Sequence, residues 1–159
     1  IAHGGMLSER AIAGLPGRPI VRDFVPQRVV LERSALAITH CGFNTVLDSL
    51  SAGVPIVALP IAFEQPATAA RLVHAGAGIA LHRWRSARRV RAAVESVLAE
   101  PRYRDNASRL SKEIADSGGA ALAATLIEGL LAGAAHRGAA TTARAAPDDA
   151  RGDSRNGNS

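Results

Sequence analysis

The side chains able to do chemistry crowd into one stretch from Phe24 to Gln65, FVPQRVVLERSALAITHCGFNTVLDSLSAGVPIVALPIAFEQ. Its centre is His40-Cys41-Gly42-Phe43-Asn44-Thr45, between an apolar run and a helical one. A buried strand ending at Thr39, a tight turn permitted by Gly42 and a helix starting near Asn44 bring free backbone N–H groups and the positive end of a helix dipole to one point. Such a point binds anions, and a donor side chain such as His40 or Thr45 completes a cradle for a diphosphate. Asp48, four residues beyond Asn44, lies on the same helix face, where a carboxylate can accept hydrogen bonds from ribose hydroxyls. After the next apolar run and Pro60, Glu64 and Gln65 open another helix at the same edge, and an acceptor beside an amide suits the vicinal hydroxyls of a sugar. Phe24, closing an earlier strand, offers a flat face to a base, and the Val25 backbone a hydrogen bond to its edge. Plainer roles stand beside these: Asn44 and Thr45 as helix caps, Asp48 as a partner for local backbone, Glu64 as an acid at a helix start, His40 as a structural histidine and Phe24 as core filler.

The elements that must hold these groups follow from the apolar pattern. Short, nearly continuous apolar runs at 20–24, 36–39, 55–59 and 78–81 predict parallel strands buried on both faces. Helical stretches at 27–33, 44–52 and 65–75 lie between them, with Gly53 and Gly76 as stop signals and Pro26 and Pro66 at or near the starts. Strand–helix–strand units of this length make right-handed crossovers, so the expected fold class is α/β, a Rossmann-like doubly wound parallel sheet. Three helices follow without strands. Ser86 caps the first, whose buried face reads Val90, Val94, Val97 and Leu98; the second shows Ala107, Leu110 and Ile114, and the third Ala123, Leu126, Ile127 and Leu130. The folded domain is expected over 1–133, with a disordered tail over 134–159 made of Ala, Gly, Thr, Arg, Asp, Ser and Asn.

Composition narrows the function class. The 159 residues are 47% hydrophobic and only 3% aromatic, which disfavours a binder that stacks nucleic-acid bases. The net charge is +5, yet residues 1–133 hold 15 basic and 11 acidic residues and so carry only +4. Arg83, Arg85, Arg88, Arg89 and Arg91 form the one basic cluster, read as a solvated face, with contact to a partner domain or anionic lipid as the alternative. With one cysteine, Cys41, no internal disulfide forms, and a cytoplasmic protein is expected. Cys41 itself reads as a small buried thiol. His3, His74, His82 and His136 lack metal-ligand spacing, and Trp84 should pack on the helix after it.

At these residues the sequence resembles the UDP-glycosyltransferases of the GT-B fold (glycosyltransferase family 1), and within them the bacterial zeaxanthin and macrolide glycosyltransferase members. The resemblance rests on Val25-Pro26-Gln27, Thr39 through Thr45, Asp48, Gly53-Val54-Pro55, Pro60 and Glu64-Gln65 in one order. It implies a C-terminal donor-binding domain, incomplete at its N-terminus, since residues 1–5 look like the end of its second strand. It implies that Phe24 stands where plant members stack Trp on uracil, that Gln27 sits near the ribose, and that His40, Gly42, Asn44 and Thr45 hold the phosphates. Asp48 replaces a Glu that grips the ribose, and Glu64 with Gln65 matches the pair that holds the transferred sugar, Gln favouring glucose. The implied reaction is inverting transfer of a hexosyl group from a UDP-sugar to a hydroxyl of a small lipophilic acceptor, with no cofactor and no metal. The catalytic His and the acceptor site belong, by the same resemblance, to an N-terminal domain outside this chain, so the chain alone is expected to be inactive. The rival readings are a non-catalytic nucleotide-sugar-binding fragment and an N-acetylglucosaminyl transferase of cell-wall type.

Overall fold

Parallel strands surrounded by helices need residues that are apolar on both sides, and the centre of this chain supplies them. A computed structural model describes residues 1–82 and 86–143, with backbone alone over 132–143. The elements in order are α1 (Glu9–Ala13), α2 (Gln27–Leu31), β1 (Ala37–Thr39), α3 (Phe43–Ser51), β2 (Ile56–Ala58), α4 (Gln65–His74), β3 (Gly78–Ala80), α5 (Ala87–Ala99), α6 (Pro101–Asp116) and α7 (Gly119–Ala143). The strands pair in the order β1-β2-β3, all parallel, with Ala37 opposite Ile56 and Ile56 opposite Gly78. Ile56, Val57 and Ala58 are fully buried. Ile56 and Ala58 pack with Val46, Leu50, Ala69, Leu72 and Ala107, whereas Val57 packs with Ala93, Val97 and Tyr103. The sheet is thus covered on both faces, by α3, α4 and the body of α6 on one side and by α5 with Tyr103 from the start of α6 on the other, as a doubly wound sheet requires.

Three of the four expected strands form, each a residue or two shorter than its apolar run. The stretch 20–24 does not join the sheet. It makes one parallel bridge, Ala2 with Arg22, closed by the Arg22 N–H to the Ile1 carbonyl (2.9 Å) and the His3 N–H to the Arg22 carbonyl (3.1 Å). Ile20 is 76% exposed, and a ribbon of two short segments that pairs with no further strand among the described residues lacks the support that extends a ladder. Helix α1 was not legible as a periodic run, and its signal is Ser8, whose Oγ accepts from the Ala11 N–H at 3.3 Å. Ser86 does occupy the N-cap of α5, but its side chain makes no capping bond. On α5 the deepest residues are Ala93 and Val97, and Leu98 is 55% exposed. A helix presses closest where its side chain is smallest, so the seam runs through Ala93 and leaves Leu98 at its rim. Gly53 and Gly76, with φ of +66° and +68°, end α3 and α4 in the left-handed conformation.

Helix α6 works as a clasp. Its Arg104 donates from Nη1 to the Gly53 carbonyl (3.0 Å) and from Nη2 to the carbonyls of Ala35 (3.0 Å) and Ser34 (3.3 Å). Ser111 Oγ donates to the Ser51 carbonyl at 2.6 Å, and Asn106 Nδ2 to the Gly76 carbonyl at 3.2 Å. The carbonyl of Ser51, the last residue of α3, is thereby paired, as are those of Gly53 and Gly76 in the turns just beyond α3 and α4. Replacing Arg104 by Met should lower stability by about 1.5 kcal/mol, the usual scale for bonds from a charged donor. Urea unfolding followed by circular dichroism measures it, and an unchanged midpoint would contradict the clasp.

The chain divides into two compact units, residues 1–116 and the segment from Ser117 onward. In the second, α7 continues through position 134, where the composition changes, to Ala143; the remainder of the expected tail lies outside the described residues. Leu126, Ile127 and Leu130 of this helix are 60%, 58% and 71% exposed, because a single helix has no second surface within its own unit. Of the basic cluster, Arg88, Arg89 and Arg91 are exposed, while Arg83, Arg85 and Trp84 lie outside the described residues. No single helix among the described residues is long and apolar enough to cross a membrane.

Candidate functional site

Two loops leave the carboxyl ends of adjacent strands, and the residues singled out from the sequence sit on them or beside them. The first joins β1 to α3. Its left-handed residue is Cys41, at φ +71°, whereas Gly42 is the extended N-cap of α3 with φ −61° and ψ 139°. The turn therefore does not rest on freedom of Gly42, as the sequence suggested. Burial of the Cys41 side chain, completely enclosed beside Val46 and Leu50, offsets the roughly 1–2 kcal/mol cost of that conformation. The Cys41 N–H is held by Thr39 Oγ1 at 3.3 Å, and burial pushes the thiol pKa up, so the group stays protonated. Glycine is needed at 42 for a different reason. His40 folds back against it, and a Cβ there would lie 2.8 Å from His40 Nε2.

Helix α3 opens with its donors free of side chains. Its first internal bond is Val46 N–H to the Gly42 carbonyl at 3.1 Å, and no side chain caps it. The amides of Phe43, Asn44 and Thr45 precede that bond and point out of the helix end. Neither Asn44 nor Thr45 is a cap. Asn44 is exposed, and Thr45 Oγ1 instead donates to Gln27 Oε1 at 3.3 Å. Gln27 in turn donates from Nε2 to Asp48 Oδ2 at 2.8 Å. Arg28, which sequence reasoning passed over, faces the other oxygen, Oδ1, from Nε at 3.2 Å. Gln27, Thr45 and Val25 also line a hollow of about 450 Å³ with Thr39, Leu36 and Ile38.

The second loop joins β2 to α4. Gln65 Oε1 accepts from the N–H groups of Ile61 (2.9 Å) and Ala62 (3.0 Å), leaving its amide nitrogen as the end free to serve a ligand. Glu64 is the N-cap of α4 but makes no side-chain capping bond and is exposed. Between them and β2 stands Phe63, left-handed at φ +56° and 92% exposed. His40 and Ile61 line a smaller hollow of about 230 Å³ with Ile38, Thr39 and Leu59, so the His40 turn and the Gln65 loop meet at one edge. Backbone strain on a non-glycine residue in each loop is a pattern common at binding sites. Phe24 is 84% exposed, which removes it from the core. The structure thus joins Val25, Gln27, Thr45 and Asp48 in one network or hollow and His40 with the Gln65 loop at another. Phe24, Asn44 and Glu64 are placed on the surface. Arg28 and Thr39 are the neighbours that sequence reasoning missed. Arg28 follows Gln27 directly, but nothing local signals its reach to position 48.

Over most of its length the chain is similar to known glycosyltransferases. The chain is 38% identical over 117 residues to a zeaxanthin glucosyltransferase of Pseudescherichia vulneris, a match covering 74% of this chain and 28% of that protein. It is 39% identical over 133 residues to the demethyllactenocin mycarosyltransferase of Streptomyces fradiae, covering 83% of this chain and 29% of that one. The crystal structure of CalG4, the calicheamicin glycosyltransferase, superposes with a TM-score of 0.74 at 31% identity, over 83% of this chain and 35% of that chain. The chain therefore spans under a third of the length of these two curated relatives. The architecture of a parallel sheet with helices on both faces is that of the GT-B glycosyltransferases. Residues 7–126 match the pattern of one family, and with those relatives the match establishes that the chain belongs to the UDP-glucoronosyl and UDP-glucosyl transferase family.

Proposed function

We propose that this chain holds the activated sugar in a glycosyltransferase that moves a hexosyl group from a UDP-sugar, UDP-glucose above all, to a hydroxyl of a small lipophilic acceptor. The observation that supports it most is the α3 terminus: three unbonded amides and His40 at one strand end, with a linked Thr45–Gln27–Asp48 series beside them. In this reading the amides of residues 43–45 and His40 receive the diphosphate, and Asp48 with Gln27 faces the ribose. Phe24 and Val25 meet the base, and Glu64 with the Gln65 nitrogen takes the sugar hydroxyls. Transfer is a single displacement with inversion, the acceptor being deprotonated by a base that this chain does not supply. Charge builds on the departing diphosphate, and fixed dipoles aimed at it from a helix end lower the barrier without reorganising and without a metal.

Calorimetry of the 159-residue chain with UDP tests this. UDP should bind, and His40→Ala should weaken it about tenfold, the loss of one bond to a charged group. No heat at millimolar UDP, or identical binding by His40→Ala, would end the proposal.

A further inference from the structure

Phe63 combines two costs that its own surroundings do not offset. Three non-glycine residues among those described lie in the left-handed region, Arg18, Cys41 and Phe63. Cys41 is compensated by complete burial, and Arg18 is a charged residue at the surface. Phe63 alone of the three holds an apolar ring in water, 92% exposed, on a backbone that a bulky side chain disfavours. The loop is nonetheless pinned in that shape. Gln65 reaches back across it, its Oε1 accepting from the N–H groups of Ile61 (2.9 Å) and Ala62 (3.0 Å), while its own N–H donates to the Ala62 carbonyl (3.2 Å). Three bonds thus straddle position 63 and fix its backbone. A strained conformation persists only where its surroundings over-determine it, and such residues gather where ligands are clamped.

The next two residues point to the ligand. Glu64 is exposed and makes no capping bond, and the amide nitrogen is the free end of Gln65. Phe63, Glu64 and Gln65 therefore offer an aromatic face, a carboxylate and an amide in three consecutive positions. A hexopyranose is the complement of that set. Hydroxyls around its rim donate to a carboxylate and accept from an amide, while one face of its ring carries axial C–H bonds whose slight positive charge suits the negative face of an aromatic. A diphosphate would be repelled by the carboxylate, and a wholly lipophilic ligand would gain nothing from either polar group. We infer that Phe63 is the platform on which the transferred hexose lies, its ring closing on the apolar face of the sugar while Glu64 and Gln65 hold the rim. The inference rests on the donor-site reading above and adds to it the residue that reads the sugar's face.

The decisive comparison is UDP against UDP-glucose, which differ by the hexose alone, titrated calorimetrically into the 159-residue chain and its Phe63→Ala and Phe63→Tyr variants. Phe63→Ala should unfold in urea at the parental midpoint or above it, because the exposed ring contributes no packing, and should bind UDP within about twofold of the parent. Its affinity for UDP-glucose should fall about fivefold, the scale of one aromatic contact. Phe63→Tyr keeps the face and should match the parent with both ligands. If Phe63→Ala binds UDP-glucose as the parent does, the ring does not serve the sugar, and the inference is overturned while the donor site stands. Parallel losses for UDP and UDP-glucose, or a lowered urea midpoint, would mean that the ring acts through the nucleotide or the fold, and either result overturns it too. Failure of the parent to bind both ligands overturns the donor-site reading itself, and this inference with it.

Discussion

A chain with alanine at position 78 is expected to lose about 3 kcal/mol or more of stability, enough to abolish cooperative unfolding in a domain of this size. Gly78 is the first residue of β3 and sits opposite Ile56 in the ladder. A Cβ added there would lie 2.1 Å from the Ile56 carbonyl oxygen, 3.0 Å from its carbon and 3.0 Å from Leu72 Cδ2. The first two are backbone atoms of a fully buried residue, whose own N–H is bonded to the Ala77 carbonyl at 3.1 Å. Nothing flexible can yield. The strand must separate from its neighbour or the register must shift, and a shift of one residue would turn β3's buried set to the wrong face. The same substitution at Gly129 of α7, where nothing lies within 4 Å, serves as the control and should leave unfolding of the first unit unchanged. Urea titration followed by circular dichroism separates the two. A Gly78→Ala chain unfolding at the parental midpoint would mean that β2 and β3 are not packed as described.

What the sequence could and could not disclose follows from the range of each interaction. Residues 56–58 read as a buried strand because burial on both faces leaves no room for a polar alternate, and all three are fully enclosed. Gly53 and Gly76 announced the ends of α3 and α4 because a left-handed residue is a local demand. The order of the chemical side chains along the strand ends was legible for the same reason: a strand, a turn and a helix start are contiguous. Tertiary pairings were not. Gln27 and Asp48 are 21 residues apart, and Arg104 lies 51 residues from Gly53; neither pair leaves a periodic mark. The stretch 20–24 misled because an apolar β-branched composition reports willingness to be a strand but not whether a neighbour is present on each side. At 41–42 the turn was placed correctly but the strained residue was not, since a glycine draws attention that belongs to a buried cysteine held by core packing.

Gly42→Ala should behave in the opposite way to Gly78→Ala, keeping the fold and losing the ligand. Gly42 has φ −61° and ψ 139°, a conformation alanine adopts without strain, so stability should change by less than about 1 kcal/mol. Its new Cβ would instead meet His40 Nε2 at 2.8 Å. That atom is the tip of an exposed side chain, which yields by rotating away from the α3 terminus. If His40 is the side-chain donor to the diphosphate, its displacement costs the same bond as its removal, about tenfold in the UDP dissociation constant. The two changes then act through one group, and their effects should not add. A chain carrying both Gly42→Ala and His40→Ala should bind UDP no more weakly than either single variant. Calorimetry on the four chains closes the cycle. Independent, multiplying losses would show that the Cβ obstructs the amides of residues 43–45 directly, and unchanged binding by Gly42→Ala would show that the close approach of His40 has no part in holding the nucleotide.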